Sequence, residues 1–211
     1  GCYEPPLPAA DGGARGMNSM TRGVLNLGHK GKILSFHSKK HPCKIENLPQ
    51  EYKDETDFET VFVDLDIKPL PALTAWLTGE SYHVKRFINQ QMKNKLAEIL
   101  KKEEFDIVQM ESIFLTPYVP LVRKLSKAKV VLRSPNVENM IWKRTYKATK
   151  NPLKRYYLKH LALTLEYYEK ENINQYDAIF PVTDVDANYF IENGYRKLCK
   201  AVAVGIETPE F

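Results

Sequence analysis

Six short apolar runs constrain this chain more than any other feature: Ile33 to Phe36, Val61 to Leu65, Ile107 to Met110, Val130 to Leu132, Ile179 to Val182 and Val202 to Val204. They are continuous rather than alternating, as expected of strands buried on both faces, and such strands belong to parallel sheets covered by helices. Helical spacing fills the gaps between them. Met17, Met20, Val24 and Leu27 share one face, and Gly28 follows as a C′ residue. Val84, Ile88, Met92, Leu96 and Leu100 step by four and predict one helix. Leu153, Tyr157, Leu161 and Leu165 do the same behind Asn151-Pro152, an N-cap and N1 pair. Thr183 with Asp186 reads as a loosened capping box, and Gly194 closes that helix. Strands alternating with helices imply right-handed crossovers, hence an α/β fold with a doubly wound, Rossmann-like parallel sheet in one domain spanning residues 1–211. Residues 38–59 and 67–81 read as surface connections, because they are polar or interrupted by Pro69, Pro71 and Gly79.

The two ends fit this scheme imperfectly. A sheet of this kind opens with a strand, yet the chain starts Gly1-Cys2-Tyr3-Glu4-Pro5-Pro6, so only the last residues of a first strand are present. Val202 to Val204 runs into a turn and the chain stops at Phe211. Both observations read as a piece of a longer protein.

Composition narrows the function classes. Hydrophobic residues make up 43% and charged residues 27%, and no run is long enough to span a bilayer. Cys2, Cys43 and Cys199 are an odd, widely spaced set, which argues against a disulfide framework or a zinc site and points to a reducing, cytoplasmic compartment. A net charge of +5 suits an anionic ligand or membrane surface without demanding one. Nucleic-acid binding is disfavoured, because no recognised motif is present and cations and aromatics are not interleaved. Tyr156-Tyr157 and Tyr167-Tyr168 read as aromatics on a long, mostly buried helix.

In open parallel sheets ligands bind beyond the carboxyl ends of the strands, so the candidate residues are those that follow the apolar runs. Asp11-Gly12-Gly13-Ala14-Arg15-Gly16 precedes the first helix. It is either an anion-approach loop or a plain turn, and it carries neither the dinucleotide fingerprint nor a phosphate loop. Glu111 ends the third run, as a ligand or acid/base group or as a helix cap. Arg133 and Glu138 flank the loop Ser134-Pro135-Asn136-Val137, either paired with each other or facing a ligand. His37 and His41 have no third ligand indicated by spacing.

Four stretches resemble the N-terminal domain of GT-B glycosyltransferases of the large retaining family 4. They are Pro5-Pro6 through Gly13; Leu25 to Lys30 with Gly28-His29; Arg133 to Arg144 with Asn136-Val137-Glu138 and Ile141-Trp142-Lys143-Arg144; and Thr183 with Asp186 followed by Val204 to Phe211. Pro135 stands where the family pattern often has histidine, and the closing stretch lacks the usual Pro-Asn pair. The resemblance implies an enzyme that transfers a sugar from a nucleotide-sugar co-substrate to a glycan or lipid-linked acceptor, with no metal ion. It implies that Gly12 and Gly13 approach the donor diphosphate, and that Asp11, Arg15, Glu111, Arg133, Asn136 and Glu138 line an acceptor-side cleft. No catalytic residue is assigned, because the donor-binding C-terminal domain of that family is absent here. Peripheral contact with the inner face of a membrane is a further implication. The alternative is a non-catalytic Rossmann-like domain that binds a small ligand or a protein.

Overall fold

The computed structural model describes residues 1–9 and 11–204. Its helices and strands alternate as expected. They are α1 (Gly12–Asn26), β1 (Leu34–His37), α2 (Gln50–Thr56), β2 (Glu59–Phe62), α3 (Pro69–Thr78), α4 (Tyr82–Lys85), α5 (Gln90–Lys102) and β3 (Ile107–Met110). There follow α6 (Val119–Leu125), β4 (Lys129–Ser134), α7 (Glu138–Ala148), α8 (Pro152–Asn172), β5 (Ala178–Pro181), α9 (Asp184–Glu192) and β6 (Leu198–Cys199). All strand pairs are parallel, in two groups ordered β2-β1 and β3-β4-β5-β6.

Gly1 and Cys2 join the two groups. The Cys2 N–H donates to the Leu34 carbonyl (2.9 Å) and the Phe36 N–H to that of Cys2 (3.0 Å). On the other side the Gly1 ammonium donates to the Gln109 carbonyl (2.6 Å), and the Glu111 N–H to that of Gly1 (3.0 Å). Two residues thus occupy the central position that four-residue strands occupy beside them. The order across the molecule is β2-β1, Gly1-Cys2, β3-β4-β5-β6, with its reversal at Gly1-Cys2, as in a doubly wound Rossmann-like sheet. The core lies on both faces of these strands, with Phe36, Val130, Leu132 and Ile179 fully buried.

Capping explains several helix limits. Asn151 accepts from the Lys154 N–H (2.9 Å), and Thr183 exchanges hydrogen bonds with Asp186. Gly28 adopts φ +82, its N–H bonded to Leu25 and that of His29 to Val24, a Schellman closure.

Four expectations are corrected. The helix expected over Val84 to Leu100 is broken, because Asn89 accepts from the Met92 N–H and starts α5 afresh, leaving Ile88 half-exposed. Residues 38–59 hold α2, and 67–81 hold α3, which Pro69 initiates and Gly79 (φ +72) ends. The last strand is Leu198–Cys199 rather than Val202 to Val204, although the Lys200 and Val202 N–H groups still donate to Ile179 and Pro181 along β5. Tyr156 and Tyr167 are each 65% exposed rather than buried. The stretch from Gly205 to Phe211, part of the fourth resemblance, lies outside the described residues.

Candidate functional site at the carboxyl edge

Three segments leave the sheet on one edge around the strand-order reversal: Tyr3 to Asp11 into α1, Glu111 after β3, and Ser134 to Val137 into α7. The first helix starts earlier than its apolar spacing suggests. Asp11 caps it, its carboxylate accepting from the Ala14 N–H (3.0 Å), so Gly12 through Gly16 are helical rather than loop. The N–H groups of Gly12 and Gly13 have no protein partner among the described residues. The two glycines differ. A Cβ on Gly12 would meet nothing within 4 Å, whereas one on Gly13 would stand 2.6 Å from Glu4 Oε1 and 2.7 Å from the Tyr3 hydroxyl. A side chain at Gly13 would therefore have to displace the ends of Glu4 and Tyr3.

Arg133 does not pair with Glu138. Its Nη1 donates to Glu111 Oε2 at 2.7 Å, with both residues buried. Glu111 also accepts from the Gln109 amide, and Ser112 rather than Glu111 caps the turn that follows, accepting from the Phe114 N–H (3.3 Å). A Cβ on Gly16 would lie 2.8 Å from Arg133 Nη2, so the guanidinium passes directly over the α1 backbone. Its Nε is buried without a partner among the described residues. Beside this pair, burial pushes the Cys2 thiol up to about 12, which removes it as a nucleophile.

The α7 entrance carries the most perturbed carboxyls. Pro135 ends β4's ladder, and the Ser134 hydroxyl donates to the Asn136 carbonyl (2.6 Å), turning the chain so that the Asn136 side chain is exposed. At the start of α7, Glu169 of α8 accepts from the Asn139 N–H (3.3 Å) and the Asn139 amide, and that amide also donates to the Tyr189 hydroxyl (2.7 Å). A protein carboxylate thus fills the anion position of that helix N-terminus. Burial, with Glu169 and Glu4 nearby, raises Glu138 to about 7, and burial raises Glu169 to about 7. Glu4 is buried and likewise raised by desolvation. A carboxyl near neutral pH can both give and take a proton.

Glu4, Asp11 and His41 bring together three groups able to bind a cation. His41 Nδ1 stands 3.3 Å from Glu4 Oε2 and 3.9 Å from Asp11 Oδ2. Each carboxylate already has another role: Asp11 caps α1, and Glu4 receives the Tyr3 hydroxyl. The arrangement ties the loop before α1 to the loop after β1.

Of the residues selected from sequence, Gly13, Glu111, Arg133 and Glu138 converge on this edge. Asp11, Gly12 and Arg15 lie on the exposed start of α1, and Asn136 at the exposed turn. Trp142 and Lys143 of the resemblance serve helix packing instead. The Trp142 ring lies 4.1 Å from that of His83, and Lys143 pairs with Glu166 (2.8 Å). Sequence reasoning missed Tyr3, Glu4 and Glu169. The last was detectable, because it is the next step by four after Leu161 and Leu165 and places a carboxylate on a buried stripe.

The fold and site together define a Rossmann-like α/β fold with a largely buried polar cluster at its switch point. No protein-family model, curated protein or solved structure matches the chain.

Proposed function

We propose that this chain is the acceptor-side half of a glycosyltransferase that moves a sugar from a nucleotide-sugar to a glycan or lipid-linked acceptor. The observation that carries this reading is the convergence, at the strand-order reversal, of an open α1 N-terminus with a near-neutral carboxyl. The N–H groups of Gly12 and Gly13, without a protein partner among the described residues, suit a diphosphate, whose departure needs dipoles more than a protein nucleophile. Glu138, held near 7, suits an acceptor hydroxyl as hydrogen-bond partner or proton acceptor. Arg133 and Glu111 hold the floor between them and keep α1 against β3 and β4. A second, donor-binding domain completes the reading, because transfer requires both substrates to be positioned together.

The test is saturation-transfer and chemical-shift NMR of the 211-residue chain with a panel of oligosaccharides and nucleotide-sugars. Weak binding with shifts at Gly12, Gly13 and Glu138, and no turnover, is expected. Turnover of a nucleotide-sugar by the chain alone breaks the half-enzyme reading. Binding of an unrelated small ligand at the same edge, with no response to sugars, favours the non-catalytic binding domain.

A further inference from the structure

Helix α3 is inside-out. Its small residue Ala75 is fully buried against Tyr82, Leu158 and Leu161, while Leu70 (75%), Leu73 (50%) and Leu77 (71%) face outward on one stripe. Amphipathic helices normally do the reverse. Trp76 sits at the edge of that stripe with its ring 5.9 Å from that of His160 on α8. There the outer face of α8 continues the pattern, with Leu153 (83%), Tyr156 (65%), Leu163 (46%) and Tyr167 (65%) exposed. Exposed apolar side chains on two adjoining helices form a patch of the kind that marks an interaction site.

Charge identifies the partner. Between Glu138 and Glu166 the chain contains no acidic residue. In that interval Arg144, Lys147, Lys150, Lys154, Arg155 and Lys159 are all exposed, and none has an ion-pair partner among the described residues. Glu80 beyond α3 and Glu166 on α8 are already held, by Lys85 and by Lys143 and Lys170. Lys147, Arg155 and Lys159 line a shallow groove with Tyr146, Pro152 and Tyr156, which offers an anionic head group cations above an apolar floor. Two copies of the chain meeting on this face would bring twelve unpaired cations together, which disfavours self-association. No helix among the described residues is long and apolar enough to cross a membrane.

We propose that α3 and the first half of α8 form a peripheral docking surface for an anionic phospholipid bilayer. The leucines and Tyr156 enter the interface, and the α7–α8 cations bind head groups. The inference stands on exposure and charge and does not depend on sugar transfer, so its failure leaves the reading of the carboxyl edge untouched. The experiment is flotation of the 211-residue chain with phosphatidylcholine vesicles, with and without phosphatidylglycerol. Binding to the anionic vesicles, weakened by high salt and at least ~5-fold lower on neutral ones, is expected, from about 1 kcal/mol per basic residue near an anionic surface. Lys154→Glu with Arg155→Glu, and separately Leu73→Glu with Leu77→Glu, should each lower partitioning by roughly tenfold or more. Because these side chains are exposed, circular dichroism and melting should stay as in the parent. Absent binding, equal binding to both vesicles, or a dimer abolished by the leucine variants overturns the proposal.

Discussion

The carboxyl edge of the sheet and the outer face of α3 and α8 break the same rule in opposite directions. At the edge, Glu4, Glu111, Arg133 and Glu169 are buried; on the face, Leu70, Leu77, Leu153 and Tyr156 are exposed. A buried charge is tolerable only with partners, and Arg133 has Glu111 while Glu169 has Asn139 and the α7 N-terminus. An exposed leucine requires no internal partner. The buried charges of the edge therefore have partners within the chain, whereas the apolar side chains of the face remain exposed.

The largest effect should come from breaking the edge's central pair. Arg133→Met leaves Glu111 buried and unpaired, and should lower stability by about 3–5 kcal/mol in urea unfolding. Adding Glu111→Leu should restore much of that loss, since a matched apolar pair replaces a charge without a partner. A single variant costing under ~1 kcal/mol would mean that the pair is solvated and the edge open.

Next come the paired glycines. Gly13→Val should cost about 1–3 kcal/mol, because its Cβ lands on the Glu4 carboxylate and the Tyr3 hydroxyl, which hold each other in place. Gly12→Ala, in open space within the first turn of α1, should be neutral or stabilising by up to ~1 kcal/mol. Equal effects in thermal melts would show that both glycines answer to the backbone alone.

The carboxyls at the α7 entrance predict a pH trend. Glu138 and Glu169 are raised from 4.5 to about 7, so the folded chain binds more protons than the unfolded one across that window. Their stabilising contribution is present below the unfolded value and is lost as pH rises toward 7. Glu138→Gln should leave stability at pH 4 unchanged and raise it at pH 7 by about 1 kcal/mol, reduced from the full shift because the residue is partly solvated. A variant less stable at pH 7 would place Glu138 in an ion pair and remove it as a neutral-pH proton acceptor.

The smallest effect belongs to the outer face. Leu77→Gln should change stability by less than ~0.5 kcal/mol, because the side chain is already in water. A loss above ~1 kcal/mol would show that α3 packs more tightly than its exposure indicates and would blur the contrast between the two regions.

Some of this is legible in the sequence alone. The continuous runs around Ile107 and Val130 marked doubly buried strands, and the caps at Asn151 and Thr183 marked helix starts. Glu111, Arg133 and Glu138 were placed on one edge because consecutive crossovers in a parallel sheet return to the same side. Two kinds of feature were hidden. Pairing was one: Arg133 chose Glu111 over the nearer-in-sequence Glu138, since adjacent parallel strands bring their ends together regardless of chain separation. Local competition was the other: Asn89 interrupted a run of perfect four-residue spacing, because periodicity registers apolar faces and not the backbone donors a side chain can capture.

By itself the sequence determined the alternation of strands and helices, their parallel arrangement and the edge on which polar residues gather. These follow from local spacing, burial pattern and the handedness of crossovers. The tertiary structure alone decided that Gly1-Cys2 fills the centre of the sheet, that Glu169 occupies the α7 N-terminus, that Gly13 answers to Glu4 and Tyr3, and that the α3 leucines face outward. The first joins groups more than a hundred residues apart, the second and fourth depend on how separate helices pack, and the third on how the loop before α1 folds back onto it. Such packing is set by the whole chain rather than by local spacing.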